Sequence, residues 1–234
     1  MQILVIGDIH GCWNEFQALL DQAGIGSDDR IIALGDIVDR GPASPRVLDF
    51  FRDNPQALSV MGNHERKHIR SFKGEVRAAL SQSIAREQFG EAGYLEAVAY
   101  MQSMPLFVEL PDALLVHGFY EPGIPVIHQR DVVIVGTLTG EFHLKKNYDR
   151  PWYELYDGSK PLIVGHHDYL CTGEPMIYQD RVYAIDTGCC TGGRLTGLLL
   201  PSFKIISVPA ARNYWVEVRE KHCREASAEE DGTP

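Results

Sequence analysis

Met1 to Gly11 reads MQILVIGDIHG, and the fold turns on it. A run of mostly apolar residues passes directly into Gly7-Asp8-Ile9-His10-Gly11. This is the pattern of a buried strand that ends on a glycine-flanked acidic turn. Residues two apart in extended chain point to the same side, so Asp8 and His10 aim a carboxylate and an imidazole at one place. One such pair is an ordinary polar turn. Its recurrence down the chain is what carries information.

The next strand, Arg30 to Leu34, ends on Gly35-Asp36-Ile37-Val38-Asp39-Arg40-Gly41. Ala57 to Met61 ends on Gly62-Asn63-His64-Glu65, and Ala113 to Val116 on His117-Gly118. Pro161 to Val164 ends on Gly165-His166-His167, and Arg181 to Ile185 on Asp186-Thr187-Gly188. Ligands of layered α/β proteins bind beyond the carboxyl ends of strands. Strands of one core therefore set Asp8, His10, Asp36, Asn63, His117 and His166 along one rim. Imidazole nitrogens mixed with carboxylate and amide oxygens suit borderline divalent ions such as Mn, Fe, Zn or Ni. Six such groups exceed what one ion needs, so two ions sharing a carboxylate is the economical arrangement, and such pairs clamp phosphoryl groups.

Between these motifs the chain reads as helices and short strands. Cys12 to Gln22 spaces Trp13, Phe16, Leu19 and Leu20 as an amphipathic helix, and Pro45 to Phe51 begins another. Glu65 to Met104 reads as a long, mostly helical segment beside the site, broken at Lys73-Gly74. Pro105 to Leu110 pairs with the following strand through Pro111-Asp112. Val132 to Val135 reads as a strand, Phe142 to Trp152 as an aromatic and basic loop. Leu195 to Leu200 and Lys204 to Val208 form a closing hairpin about Pro201-Ser202. Residues 1–220 read as a single domain, and the polar tail from Lys221 as disordered.

Composition narrows the class. The 234 residues suffice for a substantial core, and no apolar run reaches membrane-span length. The five cysteines, an odd number with Cys189 and Cys190 adjacent, do not make a disulfide framework, and a cytoplasmic location is expected. A net charge of -10 argues against extensive nucleic-acid binding, though bound cations still admit a phosphorylated substrate.

GDIHG, GDIVDRG, GNHE, the later VHG and the final GH occur in the order found in calcineurin-like metallophosphoesterases. The form GDIVDRG with GNHE resembles their Ser/Thr-type phosphoprotein phosphatase branch. Gly136 to Glu141, Ile185 to Leu198 and Ser207 to Trp215 resemble bacterial symmetrical diadenosine tetraphosphatases and the phosphatase module of bacterial polynucleotide kinase-phosphatases. The resemblance implies an α/β fold, a four-layer α/β/β/α sandwich of two mixed sheets flanked by helices. It implies two divalent ions, Mn first among them, held by Asp8, His10 and Asp36 and by Asn63, His117 and His166, with Asp36 shared.

By the same resemblance, a metal-bridging hydroxide attacks phosphorus without a phosphoenzyme intermediate. Arg40 grips the phosphate, His64 oriented by Asp39 protonates the leaving oxygen, and Asp186 supports a ligand. His167 is expected to line the substrate pocket. Met61 stands where protein phosphatases of this branch carry an arginine, which favours small phosphorylated molecules or dinucleoside polyphosphates over phosphopeptides. Arg130 and Arg194 are candidates for the missing contact. A phosphoprotein phosphatase, a polynucleotide end phosphatase and a non-enzymatic metal-bound module are the alternatives, and a monomer is compatible with the acidic surface.

Overall fold

The structure, a computed structural model, describes residues 1–231. Its centre is a pair of mixed sheets pressed face to face. In the first, β1 (Ile3–Ile6), β2 (Arg30–Ala33) and β3 (Ala57–Ser59) run parallel, and β1 pairs on its other side with antiparallel β10 (Arg194–Leu200). The closing hairpin is as expected: β11 (Lys204–Pro209) pairs antiparallel with β10, which also takes the short β9 (Asp186–Thr187). The second sheet has the order β4 (Phe107–Glu109), β5 (Leu114–Val116), β6 (Leu162–Val164), β8 (Val182–Ala184), β7 (Met176–Tyr178).

Alternation along the strands sorts side chains between layers. Leu4 and Ile6 face the helices, whereas Val5 faces the other sheet together with Ile32, Leu115, Ile163 and Leu198. The helical side of the first sheet is covered by α1 (Trp13–Ala23), α2 (Ser44–Asp53) and part of α4 (Leu80–Ser103), through Phe16, Leu19, Val47, Leu48, Ala97 and Met101. Leu114, Val116, Leu162 and Val164 on the far face of the second sheet pack against Phe119, Trp152 and a helical outer layer. The result is the four-layer α/β/β/α sandwich.

Helix boundaries follow local chemistry. α1 stops at Gly24, whose φ of 65° makes the left-handed C-cap. α3 (Asn63–Phe72) begins inside the GNHE motif and ends at Lys73, as expected, and Gly90 (φ 67°) kinks α4.

Three expectations are corrected. Val132–Val135 is not a strand: α5 (Asp131–Ile134) is a short helix with Val133 and Ile134 buried. A short apolar run reads alike for a buried helix and a buried strand, and the β-branched residues tilted the reading. The first half of the stretch from Phe142 is no loop, because α6 (Leu138–Asn147) occupies it, and the chain is irregular only from Tyr148 to Pro151. The start of α6 was legible in Thr137, whose hydroxyl caps the helix by accepting the Gly140 N–H at 3.1 Å. The tail from Lys221 continues α7 (Tyr214–Asp231), a run rich in good helix formers with the ion pairs Lys221–Glu225 and Arg224–Glu220 one turn apart. Residues 232–234 of that expected disordered tail lie outside the described residues.

Candidate metal centre

Every residue singled out on the rim lies just past the carboxyl end of a strand: Asp8 after β1, Asp36 after β2, Asn63 after β3, His117 after β5, His166 after β6. Asp36 is the hub. Its oxygens lie 3.6 Å from His10 Nε2, 3.5 Å from His117 Nε2 and 3.8 Å from His64 Nε2. Asn63 Oδ1 is 3.0 Å from His117 Nε2 and 3.1 Å from His166 Nδ1, and Asp8 Oδ2 is 3.9 Å from His10 Nε2. Donor atoms of His10, Asp36 and His64, and of Asp36, His117 and His166, each fall within 4.8 Å of one another. The six expected ligands are thus brought together around one carboxylate.

The backbone is bent to achieve this. His10, Asp36, Asp39, Arg40 and His166 all have positive φ, between 47° and 72°. Non-glycine residues enter that region at a cost of order 1–3 kcal/mol each, and they do so where the surroundings enforce it. Close packing supplies the enforcement. Gly62 tolerates no side chain, because a Cβ there would collide with Asp36 Oδ1. Glu65, fully buried, accepts the N–H groups of Asp36 (2.9 Å), Ile37 (2.9 Å) and Gly62 (3.0 Å) and so ties the GDIVDRG turn to the GNHE turn.

The donor set fits divalent cations. His10 Nδ1 lies 2.8 Å from the Val38 carbonyl and His117 Nδ1 2.7 Å from that of Leu34. Each ring thereby donates from Nδ1 and leaves the Nε2 lone pair for a ligand. Burial, with like charges close by, holds His10 and His117 below their usual pKa and pushes His166 down to about 3, so the imidazoles are neutral donors. Burial together with the charges of Asp186 and Asp36 raises Asp8. Carboxylates crowded in this way call for positive charge, and mixed imidazole, carboxylate and amide ligands select borderline ions.

Arg40 provides one cation: a guanidinium nitrogen lies 3.1 Å from His10 Nε2. Asp186, past β8, accepts the Gly188 N–H at 3.0 Å, and its removal from water raises it to about 6 despite that bond. Arg194 and Arg130 are engaged elsewhere, with Ser207 (2.8 Å) and with Glu121 (3.3 Å). Met61, in the expected arginine position, packs half-buried between two apolar clusters.

Sequence reasoning paired His64 with Asp39 but missed the rest of the shell around that carboxylate. This wholly buried carboxylate takes His64 Nδ1 at 2.5 Å on one oxygen and His68 Nε2 at 2.7 Å on the other. Gln82 donates its amide N–H to the oxygen facing His64, and His68 Nδ1 lies 3.0 Å from the Tyr94 hydroxyl. His68 follows His64 by four residues on α3, so helical spacing placed both on one face and was the available signal. Gln82, on α4, had no signal in sequence. These hydrogen bonds hold Asp39 well below the usual carboxylate range, and Asp36 with Asp39 raises His64 although burial opposes its charge.

His167 is exposed and is not among the residues gathered about Asp36. It lines a cavity of ≈ 440 Å³ with Phe119, Trp152, Tyr153, Tyr169 and Arg150. Phe119 joins cavity to centre, its ring 5.1 Å from that of His166 in an edge-on contact. His167 and Tyr169 meet edge-on at 5.1 Å, and Tyr153 and Tyr169 at 5.6 Å.

Comparison with known proteins agrees with this geometry. Residues 1–186 match the calcineurin-like phosphoesterase family model. The asymmetrical bis(5'-nucleosyl)-tetraphosphatase PrpE of Halalkalibacterium halodurans is 32% identical, over 90% of this chain and 94% of its own. The PrpE of Anoxybacillus flavithermus, of the same description, is 33% identical over 91% and 96%. A crystal structure provisionally named a diadenosine tetraphosphatase superposes with a TM-score of 0.73 at 25% identity, covering 89% of this chain and 93% of that one. With its motifs, its sandwich and its cluster about Asp36, the chain belongs to the calcineurin-like phosphoesterases.

Proposed function

We infer that this metal-dependent phosphoesterase hydrolyses dinucleoside polyphosphates, and that it cleaves them asymmetrically. The observation that carries the substrate class is the aromatic cavity of ≈ 440 Å³ that opens beside His166, with Arg150 and Lys145 on its wall. Aromatic faces stack nucleobases at about 1–3 kcal/mol per base, and basic side chains balance polyphosphate charge. The PrpE relatives are named for this activity, and their designation is asymmetrical, where the sequence resemblance was to symmetrical enzymes. The rim motifs set the chemistry but not where the nucleoside sits, and so carry no information on which phosphate is cleaved.

Asp8, His10, Asp36, Asn63, His117 and His166 are the proposed holders of two divalent ions, manganese first. When bound, the ions supply Lewis-acid polarisation of the phosphoryl group and an activated water. Arg40, always charged, binds phosphate oxygens through its planar fork. His64 delivers the proton to the leaving oxygen from Nε2, while Asp39 fixes the opposite nitrogen and stabilises the charged ring. Asp186 supports the carboxylate pair from β9, and His167 contacts the nucleoside. A single domain over residues 1–220, a monomer and a cytoplasmic location complete the reading. No helix among the described residues is long and apolar enough to cross a membrane.

The test is chromatographic product analysis with manganese-loaded protein and diadenosine tetraphosphate. ATP plus AMP is expected. Two ADP would overturn the asymmetrical assignment, and phosphate released from phosphopeptides alone would overturn the substrate class. Asp36→Ala is expected to abolish turnover and metal binding together.

A further inference from the structure

Among the described residues, Glu15 Oε2 and Trp13 Nε1 are the buried side-chain polar atoms without a hydrogen-bond partner. An indole N–H is a donor and offers nothing to a cation. A carboxylate oxygen is different, since leaving it unmatched in a protein interior costs of order 1–3 kcal/mol or more. The other oxygen of Glu15 is firmly held, accepting the Ala211 N–H at 3.0 Å and the Tyr214 hydroxyl at 2.8 Å. Orientation of one oxygen by two donors, with the second left bare, is how proteins present a carboxylate to a metal.

The Glu15 carboxylate shares its neighbourhood with sulfur. Donor atoms of Cys12, Glu15 and Cys189 lie within 4.8 Å of one another, all three residues being buried. Cys12 is the N-cap of α1 and Glu15 sits one turn in, so a C-x-x-E spacing puts both on one side of the helix start. Cys189 arrives from the turn after β9. A cavity of ≈ 210 Å³, lined by Cys12, Trp13, Glu15, Arg46 and Tyr214, leads to the cluster and gives an entry path. Packing of two thiols in an apolar core would explain the cysteines alone, but it leaves the Glu15 oxygen without a purpose.

We propose that Cys12, Glu15 and Cys189 form a zinc site separate from the rim of Asp36. Two thiolates with one carboxylate are a zinc donor set, softer than the nitrogen and oxygen ligands of the rim, and the cavity admits water as a fourth ligand. The site ties α1 to the Cys189–Cys190 turn. Binding releases the two thiol protons to solvent. The ion acts as a clasp on the turn flanking Asp186 and takes no part in phosphoryl transfer.

Cobalt(II) reports the site directly, because sulfur bound to cobalt gives near-ultraviolet charge-transfer absorption and none of the six proposed rim ligands supplies sulfur. Full-length reduced protein loaded with cobalt(II) is expected to show this band and to bind one equivalent more than Cys189→Ala, which lacks it. The exposed-cysteine double variant Cys171→Ser/Cys223→Ser is expected to keep the band. Glu15→Gln preserves shape but removes a charged ligand and should weaken zinc retention by at least the roughly 10–100-fold lost when a mere supporting partner is removed, so it decides the matter if Cys189→Ala does not fold. Absence of the band in the parent protein, or its survival in Cys189→Ala, would overturn the site. So would loss of two hydrogen atoms from the Cys12–Cys189 peptides of protein isolated without reductant, which would make the pair a disulfide.

Discussion

His64 Nδ1 and Asp39 Oδ2 stand 2.5 Å apart inside a shell that admits no water to Asp39, which is 0% exposed. The contact settles which imidazole nitrogen is available to substrate. With Nδ1–H donated to Asp39, only Nε2 points toward the Asp36 cluster, 3.8 Å from an Asp36 oxygen. Asp39→Asn removes the charge that stabilises the protonated ring. A general acid contributes typically 10²–10⁴-fold. Turnover of a dinucleoside polyphosphate is therefore expected to fall by about 10²-fold or more in Asp39→Asn and His64→Asn, whereas 4-nitrophenyl phosphate, whose leaving group needs little protonation, should lose far less. Equal losses on both substrates would count against a proton-donor role and for simple misplacement of the cluster.

How much of this centre was readable in advance depends on where each residue sits. Asp8, Asp36, Asn63, His117 and His166 each follow a strand, and strand ends with flanking glycines are visible in one dimension. Gln82 reaches Asp39 across 43 positions from α4, and nothing local marks it. Glu65 was visible as part of GNHE, but its work on the backbone of Asp36 and Ile37 requires two turns to be brought together. The strands next to the motifs were also legible. α5 was not, because a run of β-branched residues carries no helical period of its own, and α6 was marked only by its Thr137 cap, the polar aromatic segment behind it having no such period. The cleavage site in the substrate is less legible still, since it depends on the distance between a stacking cavity and the rim.

Glu65 makes the second expectation. Truncation to alanine orphans three backbone N–H groups inside the protein, those of Asp36, Ile37 and Gly62. At about 1–3 kcal/mol for each unmatched group, the loss in urea unfolding should reach about 3 kcal/mol, with metal affinity lowered alongside. Glu65→Gln keeps an acceptor and should retain part of the stability. A change below about 0.5 kcal/mol, the range of ordinary surface substitutions, would show that the turns are held by other contacts.

Opposite pH signatures are expected for His166 and Asp186 in metal-free protein. His166 is pushed from 6.5 down to about 3 by burial and by neighbouring histidines. The unfolded chain then takes up a proton that the folded one refuses, so its contribution to stability is lost as pH falls from 6.5 towards 3. Asp186 is raised from 3.8 to about 6 by removal from water and by Asp36, against the Gly188 N–H. Its folded form binds the proton more tightly, so its contribution is present below 3.8 and is lost as pH rises to about 6. Urea midpoints in EDTA between these limits should show the advantage of parent protein over His166→Asn shrinking on acidification. The advantage over Asp186→Asn should shrink on alkalinisation. Parallel behaviour of the two variants would refute the assignment.

Tyr153 tests the nucleoside reading without touching the rim. Its ring lies edge-on to Trp152 at 5.8 Å and to Tyr178 at 5.6 Å, on the wall of the aromatic cavity and away from the ligands of Asp36. If a base stacks in that cavity, removing one wall costs about 1–3 kcal/mol of binding, which is roughly 5- to 150-fold in affinity. The loss should appear in KM for dinucleoside tetraphosphate, with kcat little changed, because stacking far from phosphorus binds ground state and transition state alike. Inorganic tetraphosphate, which has the phosphates but no base, should be handled equally by Tyr153→Ala and the parent protein. Tyr153→Phe preserves the stacking face and should restore KM. A loss shared by both substrates would mean that the cavity wall supports the fold of the His166–His167 loop, and the nucleoside would then have to lie elsewhere along the rim.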